Sequence, residues 1–132
     1  MSGELETMLD MPEKKAIVVV EDSEPIAALI KDTLNGEPDY QATIVHDGSR
    51  AIEVIQSVKA SLILLDLNLP GITGLQIYDL LKDDAATRDI PIVFITASPD
   101  RKAFKERNIE SFIAKPFDLD ELLDAVAQVC RG

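Results

Sequence analysis

Five times along the chain a short strand-like run gives way to a segment with apolar residues at helical spacing. The runs are Ala16–Val20, Tyr40–Val45, Ser61–Asp66, Ile92–Ile95 and Ser111–Ala114. Leu62-Ile63-Leu64-Leu65 is aliphatic without a break, as expected of a strand buried on both faces rather than one with a wet side. Between the runs, Ile26, Leu29, Ile30, Thr33 and Leu34 recur at a helical period, as do Ala51, Ile52, Val54, Ile55 and Val58. Leu75, Ile77, Leu80 and Leu81 do the same, as do Leu119, Leu122, Leu123, Val126 and Val129. Strand–helix alternation is satisfied economically by parallel strands joined through helical crossovers. The expected fold is therefore α/β: one doubly wound, five-stranded parallel sheet with helices on both faces.

Punctuation agrees with this division. Ser23-Glu24-Pro25 is a helix start, with proline in the first turn, and Asn35-Gly36 is a stop. Asp118 and Glu121 have capping-box spacing. Pro99–Asn108 is strongly charged and offers only Ala103 and Phe104 for packing. It predicts a short fourth helix whose charges are solvated. Residues 1–13 are polar and acidic without sustained periodicity, and are expected to form a disordered lead-in to a domain spanning 14–132.

In open sheets of this kind, ligands bind beyond the carboxyl ends of the strands. Those ends carry the polar residues of interest: Glu21 and Asp22 after the first strand, Asp66 at the end of the third, Thr96 after the fourth, Lys115 after the fifth. Three carboxylates at one edge repel one another unless a cation joins them, and oxygen donors suit Mg²⁺. Lys115 would add a positive charge suited to a phosphate oxygen, and Thr96 a hydroxyl donor. A carboxylate so placed can attack phosphorus and form an acyl phosphate. The formal charge of −11 argues against binding a phosphate backbone. No apolar run approaches a membrane span, and the single cysteine, Cys130, has no internal disulfide partner. His46 has no second metal-ligating neighbour at useful spacing and reads as a loop residue.

The set Glu21-Asp22, Asp66 in Leu-Leu-Asp-Leu-Asn-Leu-Pro-Gly, Thr96-Ala97 and Lys115-Pro116-Phe117 resembles the response regulator receiver domain, the fold of the bacterial chemotaxis regulator. The likeness covers about residues 14–130, with each motif in order and at a strand end. It implies the strand order 2-1-3-4-5 and makes Asp66 the phosphoacceptor. It implies that Glu21 (through water), Asp22, Asp66 and the backbone carbonyl of Asn68 hold Mg²⁺, and that Lys115 and Thr96 contact the phosphoryl group. It further implies a cis peptide at Lys115–Pro116 and a switch in which Thr96 moves and Phe112 turns inward.

The donor would be a histidine kinase or a histidine phosphotransfer protein, and the output contact with a downstream protein. No nucleic acid or membrane partner is expected. A phosphorylation-dependent dimer through the fourth helix, fifth strand and fifth helix, the family's usual output surface, is among the assemblies implied. The module would be cytoplasmic, would assist its own phosphorylation and dephosphorylation, and would not be a turnover enzyme. The chain departs from the family pattern at Thr73, at Phe112, which lacks a hydroxyl, and in the shortened Thr96–Lys115 segment.

Two other classes compete. An aspartyl-phosphate phosphatase normally wants a second acid two residues after the nucleophile, where this chain has Asn68. A phosphorylation-independent interaction domain would have no need of the full acid set. If the chain is complete, with no further segment after the last helix, it acts by protein contact alone.

Overall fold

The computed structural model describes residues 14–131. The expected lead-in, residues 1–13, lies outside the described residues. Five strands form one parallel sheet: β1 (Lys15–Val20), β2 (Tyr40–Val45), β3 (Leu62–Asp66), β4 (Ile92–Thr96) and β5 (Phe112–Ala114). Their order is β2-β1-β3-β4-β5. The helices between and after them are α1 (Glu24–Asn35), α2 (Ala51–Val58), α3 (Gly74–Asp83), α4 (Arg101–Glu106) and α5 (Leu119–Arg131), with a 3₁₀ turn at Gly48–Arg50. The chain steps from β1 out to β2 and then returns past β1 to β3. Strand order therefore reverses between β1 and β3, and a cleft opens beyond their carboxyl ends.

The two-residue period of the strands splits the core in two. Val18, Val20, Ile63, Leu65 and Phe94 face α2, α3 and α4. Ile17, Val19, Leu62, Leu64, Val93, Ile95 and Ile113 face α1 and α5. Every residue of β3 is buried, because both of its faces are covered.

Local signals behave as their chemistry dictates. Ser23 caps α1 by accepting from the Ile26 N–H, with proline in the first turn. Thr73 and Gln76 form a reciprocal capping box on α3. Asp118 accepts from the Glu121 N–H at 2.8 Å, and Glu121 returns the contact to the Asp118 N–H at 3.4 Å.

Three residues assigned above to apolar helical stripes are turned outward: Leu29, Leu80 and Leu119 are 45%, 52% and 42% exposed. A helix lying on a sheet buries a stripe narrower than the full apolar sector, so the flanking row stays in water. The charged segment is likewise not wholly solvated. Arg107 donates from Nε and Nη2 to the two Asp79 carboxylate oxygens, both at 2.8 Å, and from Nη1 to the Ala103 carbonyl. This pair joins the end of α4 to α3. Phe104 is buried, stacked on Phe94 at 5.2 Å between centroids and edge-on to Phe112 at 5.8 Å.

Candidate functional site

The carboxyl ends of β1, β3, β4 and β5 bring Glu21, Asp66, Thr96 and Lys115 to one place. Glu21 and Asp66 are buried and Asp22 is exposed. One carboxylate oxygen from each of the three lies within 4.8 Å of the others. The Lys115 ammonium bridges two of them, donating to Glu21 Oε1 at 2.7 Å and to Asp66 Oδ2 at 3.2 Å. One cation against three anions leaves a net negative, oxygen-lined cluster. A hard divalent cation suits such a donor set, and the residues present fit Mg²⁺.

The remaining lone pairs are held by local backbone. Asp66 Oδ1 accepts from the Asn68 N–H at 3.0 Å, and Glu21 Oε2 from the Ser23 N–H at 3.2 Å. Thr96 Oγ1 is buried and accepts from the Ser98 N–H at 3.0 Å and from Asn68 Nδ2 at 3.5 Å. Asn68 therefore touches both the β3 carboxylate and the β4 hydroxyl. The Lys115–Pro116 peptide is cis. Phe112 is half-buried and lies against Phe104, on the face of the sheet that α4 covers.

Burial pushes the Glu21 carboxyl up from the ordinary 4.5 to about 7; the Lys115 hydrogen bond opposes this and the Asp66 carboxylate adds to it. For Lys115 burial works downward, but the two carboxylates outweigh it and its pKa lies above the usual value. Burial also raises the Cys130 thiol, which keeps it protonated.

The sign of the Glu21 shift sets a pH dependence. Between 4.5 and about 7 the folded state binds more protons at Glu21 than the unfolded chain does. The associated stability is fully present below 4.5 and is lost as pH rises through about 7. In chelator, thermal unfolding of the wild-type protein is expected to lose stability across this window relative to Glu21→Gln. Parallel pH profiles for the two proteins would contradict it.

One residue at the site was not singled out by the sequence. Gly74 opens α3 directly against β3: a Cβ there would sit 2.4 Å from the Asp66 carbonyl oxygen and 2.8 Å from Leu67 Cα. Its N–H donates to the Leu67 carbonyl at 3.1 Å. The available signal was a glycine at the first helical position, after a good cap, with no turn to explain it. His46 is the exposed loop residue expected, and it is tied to the site. Its Nδ1 lies 3.1 Å from the Glu21 carbonyl oxygen, while the Glu21 N–H donates to Val45. The end of β2 thus brackets the backbone that carries the acid pair.

Comparison with known proteins gives a consistent result. Residues 17–127 match the family described as the response regulator receiver domain. The phosphate regulon transcriptional regulatory protein PhoB of Klebsiella pneumoniae is 38% identical over 120 residues, covering 89% of this chain and 52% of PhoB. The polar-differentiation response regulator DivK of Brucella anthropi is 28% identical over 115 residues, 85% of this chain and 93% of DivK. The chain thus spans about half the length of PhoB and nearly all of DivK. The chemotaxis protein CheY4 of Vibrio cholerae superposes with a TM-score of 0.80 at 23% identity, covering 88% of this chain and 98% of CheY4, a likeness of fold.

Proposed function

Because the chain belongs to the response regulator receiver domain family of two-component signalling, we propose that Asp66 accepts a phosphoryl group and that the resulting state is read by another protein. Members of this family are signalling modules that bind Mg²⁺ through acidic residues and work between histidine kinases and downstream targets. The observation that carries the reading is the Asp66 carboxylate, 3.2 Å from Lys115 Nζ and grouped with Glu21 and Asp22.

One Asp66 oxygen attacks the phosphorus of a phosphohistidine on a kinase or phosphotransfer protein. The P–N bond breaks, its electron pair stays on the imidazole, and solvent supplies that nitrogen's proton. Glu21 (through water), Asp22, Asp66 and the Asn68 carbonyl would hold Mg²⁺. When bound, it neutralises the carboxylates and the charge that gathers on the transferred oxygens. Lys115 exchanges its carboxylate partners for a phosphoryl oxygen. Thr96, whose oxygen accepts from Ser98 and Asn68, keeps its own hydrogen to donate to another. As Thr96 is drawn towards the phosphoryl group, Phe112 and the Phe104 ring beside it repack, a two-state element biased by charge. Water later attacks the phosphorus, releasing phosphate and restoring the carboxylate. The module operates in the cytoplasm as a switch rather than a turnover enzyme. Among the described residues no helix is long and apolar enough to cross a membrane.

The test is incubation with Mg²⁺ and a small phosphodonor. A single acid-stable, base-labile adduct is expected on the peptide containing Asp66. Chelation of the metal should suppress its formation by at least about a hundredfold, the scale of losing a charge-stabilising group. An adduct on another residue, or one indifferent to chelator, would refute the proposal.

A further inference from the structure

The Glu21 carbonyl belongs to the peptide that joins the two acids at the end of β1. In the ladder between β1 and β2, the Glu21 N–H donates to the Val45 carbonyl at 3.0 Å. A parallel ladder would next bring the Asp47 N–H back to the Glu21 carbonyl. The chain turns away at that point, and among the described residues no backbone N–H reaches this oxygen. The His46 ring takes the donor's place, with Nδ1 3.1 Å away. A carbonyl only accepts, so Nδ1 is the nitrogen that carries the hydrogen.

Asp22 depends on that peptide. Glu21 and Asp66 are each held by Lys115 and by a backbone N–H. The Asp22 side chain is exposed and, among the described residues, has neither a hydrogen bond nor an ion pair. Its place beside the other two acids is therefore set by the backbone. The turn after His46 is also wedged against the second half of the site. Gly48 is buried there, and a Cβ on it would stand 2.9 Å from Ile72 Cγ2 and 3.3 Å from the Ile72 carbonyl oxygen, in the loop that follows Asp66 and Asn68. The β2–α2 turn thus braces the backbone on both sides of the carboxylate cluster.

Resting on the reading of this cluster as an Mg²⁺ site, we propose that His46 is a positioning residue for it. The Nδ1–H on the Glu21 carbonyl fixes the direction in which Asp22 leaves β1, and so sets the affinity for Mg²⁺ before phosphorylation. His46 contributes no ligand; it acts through the backbone. Groups that orient ligands without touching the metal are worth about 10–100-fold in affinity. Because His46 is exposed, water competes for both ends of the bond, and the lower end of that range applies.

The test titrates the full chain, His46→Ala and His46→Asn with Mg²⁺ by calorimetry, each well below its own melting temperature and without phosphodonor. His46→Ala is expected to bind about tenfold more weakly. His46→Asn should bind within about twofold of the parent, since its amide nitrogen lies as many bonds from Cα as Nδ1 does and can donate to the same oxygen. With a small phosphodonor at limiting Mg²⁺, the alanine variant should form the Asp66 adduct about tenfold more slowly, and at saturating Mg²⁺ at the parent's rate. Parent-like affinity in the alanine variant overturns the proposal. So does an asparagine variant as weak as alanine, which would make the ring's packing the cause. A rate deficit that persists at saturating Mg²⁺ overturns it too, because the defect would then lie in the transfer step. A parent that binds Mg²⁺ without forming an adduct, with the variants ranked as above, overturns the phosphoacceptor reading and keeps His46 in its role; a parent that binds no Mg²⁺ removes both.

Discussion

Asp66→Asn is expected to eliminate the phosphoryl adduct, by at least about a thousandfold, the scale on which removal of a nucleophile is felt. An amide keeps the shape of the side chain and can still accept from the Asn68 N–H, but it cannot form the acyl phosphate. The second consequence concerns the fold. The unmodified cluster holds three carboxylates against one ammonium. Removing one anion relieves repulsion on Glu21, which Asp66 helps to push up. Lys115 keeps its shorter contact, 2.7 Å to Glu21. In chelator at neutral pH the variant should therefore unfold at a higher temperature than the parent, and Mg²⁺ should stabilise it less. Intact-mass analysis reads the first effect and thermal melts with and without metal read the second. Survival of the adduct would remove Asp66 from the role assigned to it.

Gly74→Ala is the second large effect, and here two forces oppose each other. Within a helix alanine is favoured over glycine by about 1 kcal/mol. Against that, the added Cβ would stand 2.4 Å from the Asp66 carbonyl oxygen. The obstructing atom is backbone in the most buried strand, so it cannot rotate aside as a side-chain tip would. Overpacking of this kind costs about 1–3 kcal/mol and occasionally more, and the rigidity of β3 places this case at the upper end. The clash wins. A net loss of about 2 kcal/mol is expected in denaturant melts. Because the atoms displaced belong to Asp66 and Leu67, phosphorylation should also slow, by up to about a hundredfold if the carboxylate moves by roughly an ångström. A variant as stable as the parent would contradict the clash between α3 and β3.

The parts of this molecule that were legible in the sequence are those governed by neighbours in the chain. The aliphatic run of β3, the Ser23 cap and the Asp118–Glu121 box each depend on a few adjacent residues, and each formed. Strand order followed from the family resemblance, and the placing of polar groups at one sheet edge from the parallel alternation. What stayed hidden was decided across the fold. Nothing near Arg107 announces Asp79, 28 residues earlier. Leu80 and Leu81 are alike in sequence, yet the sheet lies under only one of them. His46 looked idle because its partner is a backbone carbonyl, which composition cannot display. Gly74 drew no attention because a helix–strand close approach leaves no mark except a missing side chain.

The helix α4 is six residues long, far below the length at which a helix holds itself together in water. Its existence depends on what it touches: the Phe104 ring wedged among other rings, and the forked Arg107 contact at its end. In a hierarchy of local openings it belongs near the bottom, well under the strands, whose exposure requires dismantling both cores. An element held so lightly changes its population in response to a few kcal/mol, roughly what one relocated hydrogen bond and one repacked ring can deliver. Its shortness thus makes α4 a cheap element to move among the described residues. It also begins five residues downstream of the hydroxyl at the end of β4.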